Sequence, residues 1–159
     1  MSVRILIVDD HEVLREGVRS IITRARPQWE ICGEASDGAE AVASAQRLKP
    51  SVILLDITMP GISGLEAASR ITAFGLDSKI LIFTMHQSAQ LANDARRVGA
   101  SGYVTKSDAA RYLILAIETI LSGGTFFGDP QQQPLPSDPP GSVGSGILFL
   151  DTSLRLRPC

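Results

Sequence analysis

Short apolar runs alternate five times with segments of helical periodicity along residues 3–121, and this alternation limits the folds open to the chain. The runs predict strands at residues 3–8, 29–34, 51–55, 79–84 and 102–104. The segments between and after them predict helices at about 11–24, 38–49, 65–74, 89–98 and 109–121, with Asp37 as the cap of the second. Runs of consecutive β-branched and other apolar residues fit strands that helices cover on both faces. We therefore predict an α/β fold with a doubly wound, five-stranded parallel sheet.

The composition changes sharply near residue 128. Six of the nine prolines lie in residues 129–159, which open with a run rich in proline and glutamine. Proline neither continues a helix nor donates to a sheet ladder, so this stretch is predicted to be extended or disordered. The predicted organisation is one domain over residues 1–122, the start of a linker at 123–128 and a disordered tail at 129–159.

Charge and hydropathy exclude several classes of protein. A hydrophobic content of 44% with 20% charged residues is ordinary for a globular domain, and the net charge of −2 argues against a nucleic-acid-binding surface. No apolar run reaches the roughly 18–20 residues that span a bilayer. The amino terminus lacks the pattern of a signal peptide. We therefore expect a cytoplasmic protein without a membrane segment.

Reactive or charged side chains follow four of the five predicted strands. Asp9 and Asp10 follow the first strand, Asp56 the third, Thr84 ends the fourth and Lys106 follows the fifth. A single Asp after a strand is more often a cap than a functional group. In a doubly wound sheet, however, ligands bind beyond the carboxyl ends of the strands, near the point where the strand order reverses. Three carboxylates, a hydroxyl and an amine at that edge together favour a functional site.

The chemistry of this set follows from its charge. Three close carboxylates repel each other unless a cation neutralises them, and a hard divalent ion such as Mg²⁺ prefers oxygen ligands. Asp56, on the most apolar strand, is then the natural nucleophile for an acyl phosphate, with Lys106 and Thr84 contacting phosphoryl oxygens. The first strand is not followed by a glycine-rich loop, and no Lys-Ser/Thr pair follows it, which excludes a dinucleotide site and a P-loop.

These residues, at this spacing, resemble the receiver domain of bacterial two-component response regulators, which has a flavodoxin-like fold. The matching segments are residues 7–10, 54–61, 83–84 and 99–106, and the resemblance extends over about residues 1–125. The segment 11–17 is similar more narrowly to the NarL/FixJ (LuxR-type) subfamily. The roles that the resemblance implies are phosphoacceptor for Asp56, Mg²⁺ ligands for Asp9, Asp10, Asp56 and the backbone carbonyl of Thr58, switch hydroxyl for Thr84, switch aromatic for Tyr103 and phosphate-contacting cation for Lys106.

Some of these residues also allow a simpler interpretation. Tyr103 taken alone is as readily a core residue as a mobile one, and its position three residues before Lys106 favours the mobile role. His86 is more readily a solvated loop histidine than a modulator of dephosphorylation. The side chain of Thr58 would only tune water access, since its carbonyl is the implied ligand.

The resemblance implies a sensor histidine kinase as the phosphoryl donor. The last helix is more apolar than one core-facing stripe requires, which suggests a homodimer surface. The residues that make it so are Ile114, Leu115, Ile117, Ile120 and Leu121.

The subfamily pattern continues into a DNA-binding helix-turn-helix domain, but residues 129–159 offer no recognition helix, so no direct DNA binding is expected from this chain. We favour a truncated or frameshifted transcriptional regulator over a stand-alone receiver that binds proteins or drains phosphate from a kinase. A Mg²⁺-dependent phosphatase is disfavoured because Thr58 stands where such enzymes carry a second acid. The expected chemistry is limited to phosphorylation of Asp56 and its slow reversal.

Overall fold

The computed structural model describes residues 2–85 and 88–127. Helices and strands alternate along this part of the chain, as the sequence predicts. Within it, each helix is too short or too polar to cross a bilayer. The strands are β1 (Arg4–Val8), β2 (Glu30–Ala35), β3 (Val52–Asp56), β4 (Lys79–Thr84), β5 (Gly102–Thr105) and β6 (Phe126–Phe127). The helices are α1 (Glu12–Ala25), α2 (Gly38–Leu48), α3 (Gly64–Ala73), α4 (Ala89–Arg97) and α5 (Ala109–Leu121), with a short 3-10 helix at Lys106–Asp108.

The six strands form one parallel sheet in the order β2-β1-β3-β4-β5-β6. Strand β1 pairs with β2 on one side and with β3 on the other, so the winding direction reverses at β1. This is the flavodoxin-like order, in which ligands bind beyond the carboxyl ends of the strands at the reversal point. The fold class predicted from the sequence is confirmed.

Two apolar layers hold the helices to the sheet. Consecutive residues of β3 illustrate this division, because Ile53 faces one layer and Leu54 faces the other. The first layer packs against α2, α3 and α4, largely through small residues such as Ala41, Ala67 and Ala95. The second packs against α1 and α5 through larger branched residues. Both faces of the sheet are therefore covered, which explains the continuous apolar runs in the central strands.

Side-chain caps fix the beginnings of three helices. Asp37 accepts a hydrogen bond from the backbone N–H of Glu40 at 2.8 Å, as the sequence predicts. Ser63 and Ser88 cap α3 and α4 in the same way. Such a cap satisfies a backbone donor that the helix itself leaves unpaired. The predicted bounds of the first five strands and five helices agree with the structure to within one residue or two.

The sheet has one strand more than the five predicted. Phe126 and Phe127 lie in the segment 123–128, interpreted from the sequence as the start of a linker, but they pair with Gly102 and Tyr103 of β5. Phe126 is buried, and its ring lies 6.4 Å from that of Tyr112. Two residues behind a glycine pair are too short for a recognisable strand pattern, and only the apolar contacts of the folded chain identify them. The predicted tail, 129–159, lies outside the described residues.

Most of the apolar surface of α5 is used inside the domain. Leu113, Ala116, Ile117 and Ile120 are fully buried, and Ile114 and Leu121 are partly buried against the same layer. Leu115 is exposed over 46% of its surface. Most of the apolar residues of α5 that suggested a homodimer surface therefore pack into the core of the domain. The homodimer stays a prediction.

Candidate functional site

The carboxyl ends of four strands bring the predicted residues to one edge of the sheet. Val8 pairs with Leu55, so the residues that come next, Asp9 and Asp56, lie side by side at the same level of the sheet. The next two strands are in register there as well, because Asp56 pairs with Phe83 and Thr84 with Thr105. Parallel pairing thus places the acids, the hydroxyl and Lys106 around one small region.

Lys106 lies between two buried carboxylates. Its Nζ is 2.9 Å from Asp9 Oδ2 and 3.2 Å from Asp56 Oδ1, and its side chain is only 8% exposed. Burial by itself would lower the pKa of Lys106, but hydrogen bonds and charge from Asp9 and Asp56 outweigh it and raise that pKa above its ordinary value. The lysine is therefore held as an ammonium ion against both acids.

The negative charge of Asp56 is only partly compensated by the groups around it. Burial and the neighbouring Asp9 carboxylate raise the pKa of Asp56, while Lys106 and the backbone N–H of Thr58 partly offset that rise. Asp56 Oδ2 is buried and makes no hydrogen bond with any described residue. A buried carboxylate oxygen without a partner is costly. It marks a position that a cation or a new covalent bond can stabilise.

The oxygen donors needed for a hard cation lie close together. The carboxylates of Asp9, Asp10 and Asp56, with the ring of His11, each offer a ligand atom, and these atoms lie within 4.8 Å of one another. The side chain of Asp10 is 30% exposed, so solvent reaches the cluster from that side. Carboxylate oxygens with room for water are the donor set that Mg²⁺ prefers. The cluster is one that can hold a metal ion.

The backbone of Asp9 is fixed by contacts that sequence reasoning missed. Its N–H donates to the carbonyl of Ala35 at 3.0 Å, and its own carbonyl accepts a hydrogen bond from Arg15 Nη1 at 2.5 Å. Arg15 is itself held by Glu34, 2.8 Å from its Nε, and Glu34 also forms an ion pair with Arg19. The segment 11–17, which indicates the subfamily, contains Arg15, but its sequence alone does not predict that Arg15 holds the backbone of Asp9. The partner Glu34 belongs to β2 and is recognisable only in the folded chain.

Comparison with known proteins agrees with this geometry. The family model described as the response regulator receiver domain matches residues 5–118. The chain belongs to the receiver domain family. It is 35% identical over 125 residues to the transcriptional regulatory protein DegU of Brevibacillus brevis, covering 79% of this chain and 52% of that protein. It is 36% identical over 124 residues to the response regulator UvrY of Escherichia coli K12, covering 78% of this chain and 56% of the relative. The receiver chain thus spans about half the length of these curated relatives.

Solved structures of receivers have the same fold. A LuxR-family two-component response regulator from Aurantimonas sp. SI85-9A1 superposes with a TM-score of 0.75 and 43% identity, covering 79% of this chain and 89% of that one. The signal receiver domain of the putative response regulator NarL from Mycobacterium tuberculosis gives 0.72 and 30%, covering 77% and 98%. Membership of the LuxR/NarL group, predicted from the sequence, is confirmed.

The remaining predicted residues lie on β4, on β5 and in the loop after β3. Thr84 is buried at the end of β4, and the side chain of Thr58 is exposed in the loop after β3. Tyr103 is buried in β5, with its ring centroid 6.2 Å from that of Phe127. The ring of Tyr103 is therefore packed inside the domain. His86 lies outside the described residues.

Proposed function

We propose that this receiver accepts a phosphoryl group on Asp56 from the phosphohistidine of a sensor histidine kinase. The observation that carries the proposal is the buried Asp56 oxygen without a hydrogen-bond partner, beside the Lys106 ammonium ion and two further carboxylates. A nucleophile needs a lone pair that is not used in a hydrogen bond, and a phosphoryl group needs cations around its oxygens. The cluster offers both.

Mg²⁺ is the proposed cofactor, and the residues present fit it. Asp9, Asp10, Asp56 and the backbone carbonyl of Thr58 are the proposed holders, all of them oxygen donors. When bound, the ion supplies positive charge that neutralises the phosphoryl oxygens during transfer. The unpartnered oxygen of Asp56 supports the assignment, because a cation at this position satisfies it.

The transfer step is a displacement at phosphorus. An oxygen of Asp56 forms a bond to phosphorus as the bond from phosphorus to the donor's imidazole nitrogen breaks, and the imidazole leaves with that electron pair. Lys106 Nζ, 3.2 Å from Asp56 Oδ1, stays within reach of a phosphoryl oxygen on this carboxylate. The proposed chemistry ends with this acyl phosphate and its slow hydrolysis. Turnover of other substrates is not part of it.

The proposed switch uses Thr84, at the carboxyl end of β4, and Tyr103, on β5. Thr84 donates its hydroxyl to a phosphoryl oxygen, and Tyr103 follows into the space that this movement changes. Thr84 and Tyr103 lie on the paired strands β4 and β5, two residues out of register, which supports the proposal that a shift at one reaches the other. Phosphorylation then favours one of two packings of the α4, β5 and α5 surface. The packed ring of Tyr103 supports its assignment to one of these packings.

The proposed biological role is that of a transcriptional regulator's receiver. The curated relatives are named as transcriptional or response regulators, and the chain matches about half of their length. The alternative is a receiver that acts by binding proteins or by removing phosphate from a kinase. A histidine-kinase donor places the proposed reaction in the cytoplasm.

Intact-mass spectrometry after incubation with acetyl phosphate tests the proposal. We expect one phosphoryl adduct that requires Mg²⁺, is labile to base and is absent from Asp56→Asn. Asp77→Asn is the matched control, because Asp77 is an exposed aspartate. An adduct that persists in Asp56→Asn would contradict the proposal. Repeated turnover of a generic phosphomonoester would instead favour a phosphatase.

A further inference from the structure

His11 lies against the acid cluster at its solvent side. Its backbone N–H donates to Asp9 Oδ1 at 2.9 Å, which fixes the start of α1 over the carboxylates. Its ring Nδ1 is 3.1 Å from Asp9 Oδ1 and also 3.1 Å from Asp10 Oδ1. The ring is 68% exposed, so it is not held there by core packing. The imidazole is positioned by the same two carboxylates that are the proposed metal holders.

These separations suit ligands of a single ion. In an octahedral site with metal–ligand distances near 2.1 Å, adjacent ligand atoms lie about 3.0 Å apart. The distances from His11 Nδ1 to the two carboxylate oxygens match that spacing. The buried Asp56 Oδ2 without a hydrogen-bond partner is an independent sign that the cluster can take up a cation. The ligand atoms of the three acids and the imidazole lie within 4.8 Å of one another, so small side-chain rotations bring them around one metal ion.

We propose that His11 is a further metal ligand, and that its nitrogen makes this receiver site selective for divalent first-row transition ions over Mg²⁺. The inference rests on the metal site of the proposed function and adds to it the class of ion. Imidazole nitrogen suits Ni²⁺, Co²⁺ and Zn²⁺, whereas Mg²⁺ favours sites made of oxygen alone. The exposed ring can turn toward an ion without disturbing the core.

Calorimetric titration of the full chain with Ni²⁺ and with Mg²⁺ measures the selectivity. We expect His11→Gln to lower the Ni²⁺ affinity by about tenfold or more and to change the Mg²⁺ affinity by less than about threefold. The sequence contains two histidines, so His86→Gln is the matched control and should change neither affinity. An equal loss of both ions in His11→Gln, or no loss of Ni²⁺, would overturn the proposal.

Pulsed electron paramagnetic resonance identifies the ligand directly. The Mn²⁺-loaded protein, labelled with ¹⁵N-histidine, should show a ¹⁵N coupling in the wild type and in His86→Gln, and none in His11→Gln. Loss of the coupling in His86→Gln instead would assign the nitrogen to the other histidine. A wild type that binds Mn²⁺ without any ¹⁵N coupling would also overturn the proposal.

The phosphorylation assay separates this inference from the function on which it rests. If His11→Gln still forms the Mg²⁺-dependent adduct and the wild type shows no nitrogen ligand, only the inference fails. If the wild type binds none of the three ions and forms no adduct, the proposed function fails with it.

Discussion

The ammonium group of Lys106 lies 3.2 Å from Asp56 Oδ1 and 2.9 Å from Asp9 Oδ2. It therefore links the carboxyl ends of the neighbouring strands β3 and β1. A buried cation between two buried anions compensates part of their charge, and without that cation both anions stay buried and uncompensated. The stability of the metal-free domain is therefore tied to the groups that we propose for its chemistry.

Replacement of Lys106 by methionine should destabilise the metal-free protein. The carboxylates of Asp9 and Asp56 would stay buried without their cation, and we expect the free energy of unfolding to fall by about 3 kcal/mol. Urea denaturation with and without Mg²⁺ measures the effect, and Mg²⁺ should restore part of the loss. Lys79→Met, at an exposed position in β4, serves as control. Equal stability of the two variants would contradict the expectation.

Replacement of Asp56 by asparagine should instead stabilise the metal-free protein. It removes a buried charge whose Oδ2 lacks a hydrogen-bond partner, while Asp9 keeps its ion pair with Lys106. In the absence of metal we expect the free energy of unfolding to rise by on the order of 1 kcal/mol. In Mg²⁺ the gain should shrink, because the variant has lost a proposed ligand. A variant less stable than the wild type without metal would be inconsistent with a strained carboxylate.

The effect of Asp56 should also depend on pH. Because burial raises the pKa of Asp56, the folded protein keeps this proton to higher pH than the unfolded chain. Stability is therefore lost as the pH rises from about 4, the ordinary aspartate value, through the folded pKa. The stability gap between Asp56→Asn and the wild type should be small below about pH 4 and widen above it. Metal-free urea titrations at a series of pH values test this, and a gap that narrows with rising pH would contradict it.

Arg15 should support metal binding although its guanidinium contacts only a backbone carbonyl at the site. Arg15→Met removes the hydrogen bonds to Asp9 and Glu34, and we expect about 2 kcal/mol of stability to be lost with about threefold to tenfold weaker Mg²⁺ binding. Arg19→Met is the matched control, because Arg19 forms an ion pair with Glu34 and lies outside the contacts that fix Asp9. Calorimetry compares the two variants. The same Mg²⁺ affinity in both would assign Arg15 a purely structural role.

Gly64 should tolerate no side chain. A Cβ at this position would overlap the backbone carbonyl of Asp56, so Gly64→Ala must displace the end of β3. We expect a loss of about 2 kcal/mol in unfolding free energy and a lower yield of the phosphoryl adduct. Gly17→Ala, in α1 with open space around it, should instead gain about 0.5–1 kcal/mol. Thermal unfolding and intact-mass measurements give both results.

The sequence was sufficient for those parts of the fold in which one local pattern has one structural meaning. Continuous apolar runs predict buried parallel strands, and parallel strands bring Asp56, Thr84 and Lys106 to one edge whatever the details of the helices. Asp37 could likewise be predicted as a cap, because its short side chain reaches a free backbone donor.

The parts that could not be predicted depend on pairs of residues from different elements. Arg15 acts on Asp9 only because Glu34, on β2, holds the guanidinium. Phe126 is a strand residue only because the outer edge of β5 pairs with it and its ring packs near that of Tyr112. Nothing in the local sequence of either residue encodes its partner.

The sixth strand has a further consequence. Phe127 is paired in register with Tyr103, and the centroids of the two rings lie 6.2 Å apart. Phe127 also contacts α4: the guanidinium carbon of Arg96 lies 4.1 Å from the centroid of the Phe127 ring. Through Phe127, the ring of Tyr103 is thus linked to α4, and these are the aromatic residue and the helix with which we propose that the domain reports its state. A movement of the Tyr103 ring should therefore reach Arg96 through Phe127, by a route separate from the paired backbones of the sheet.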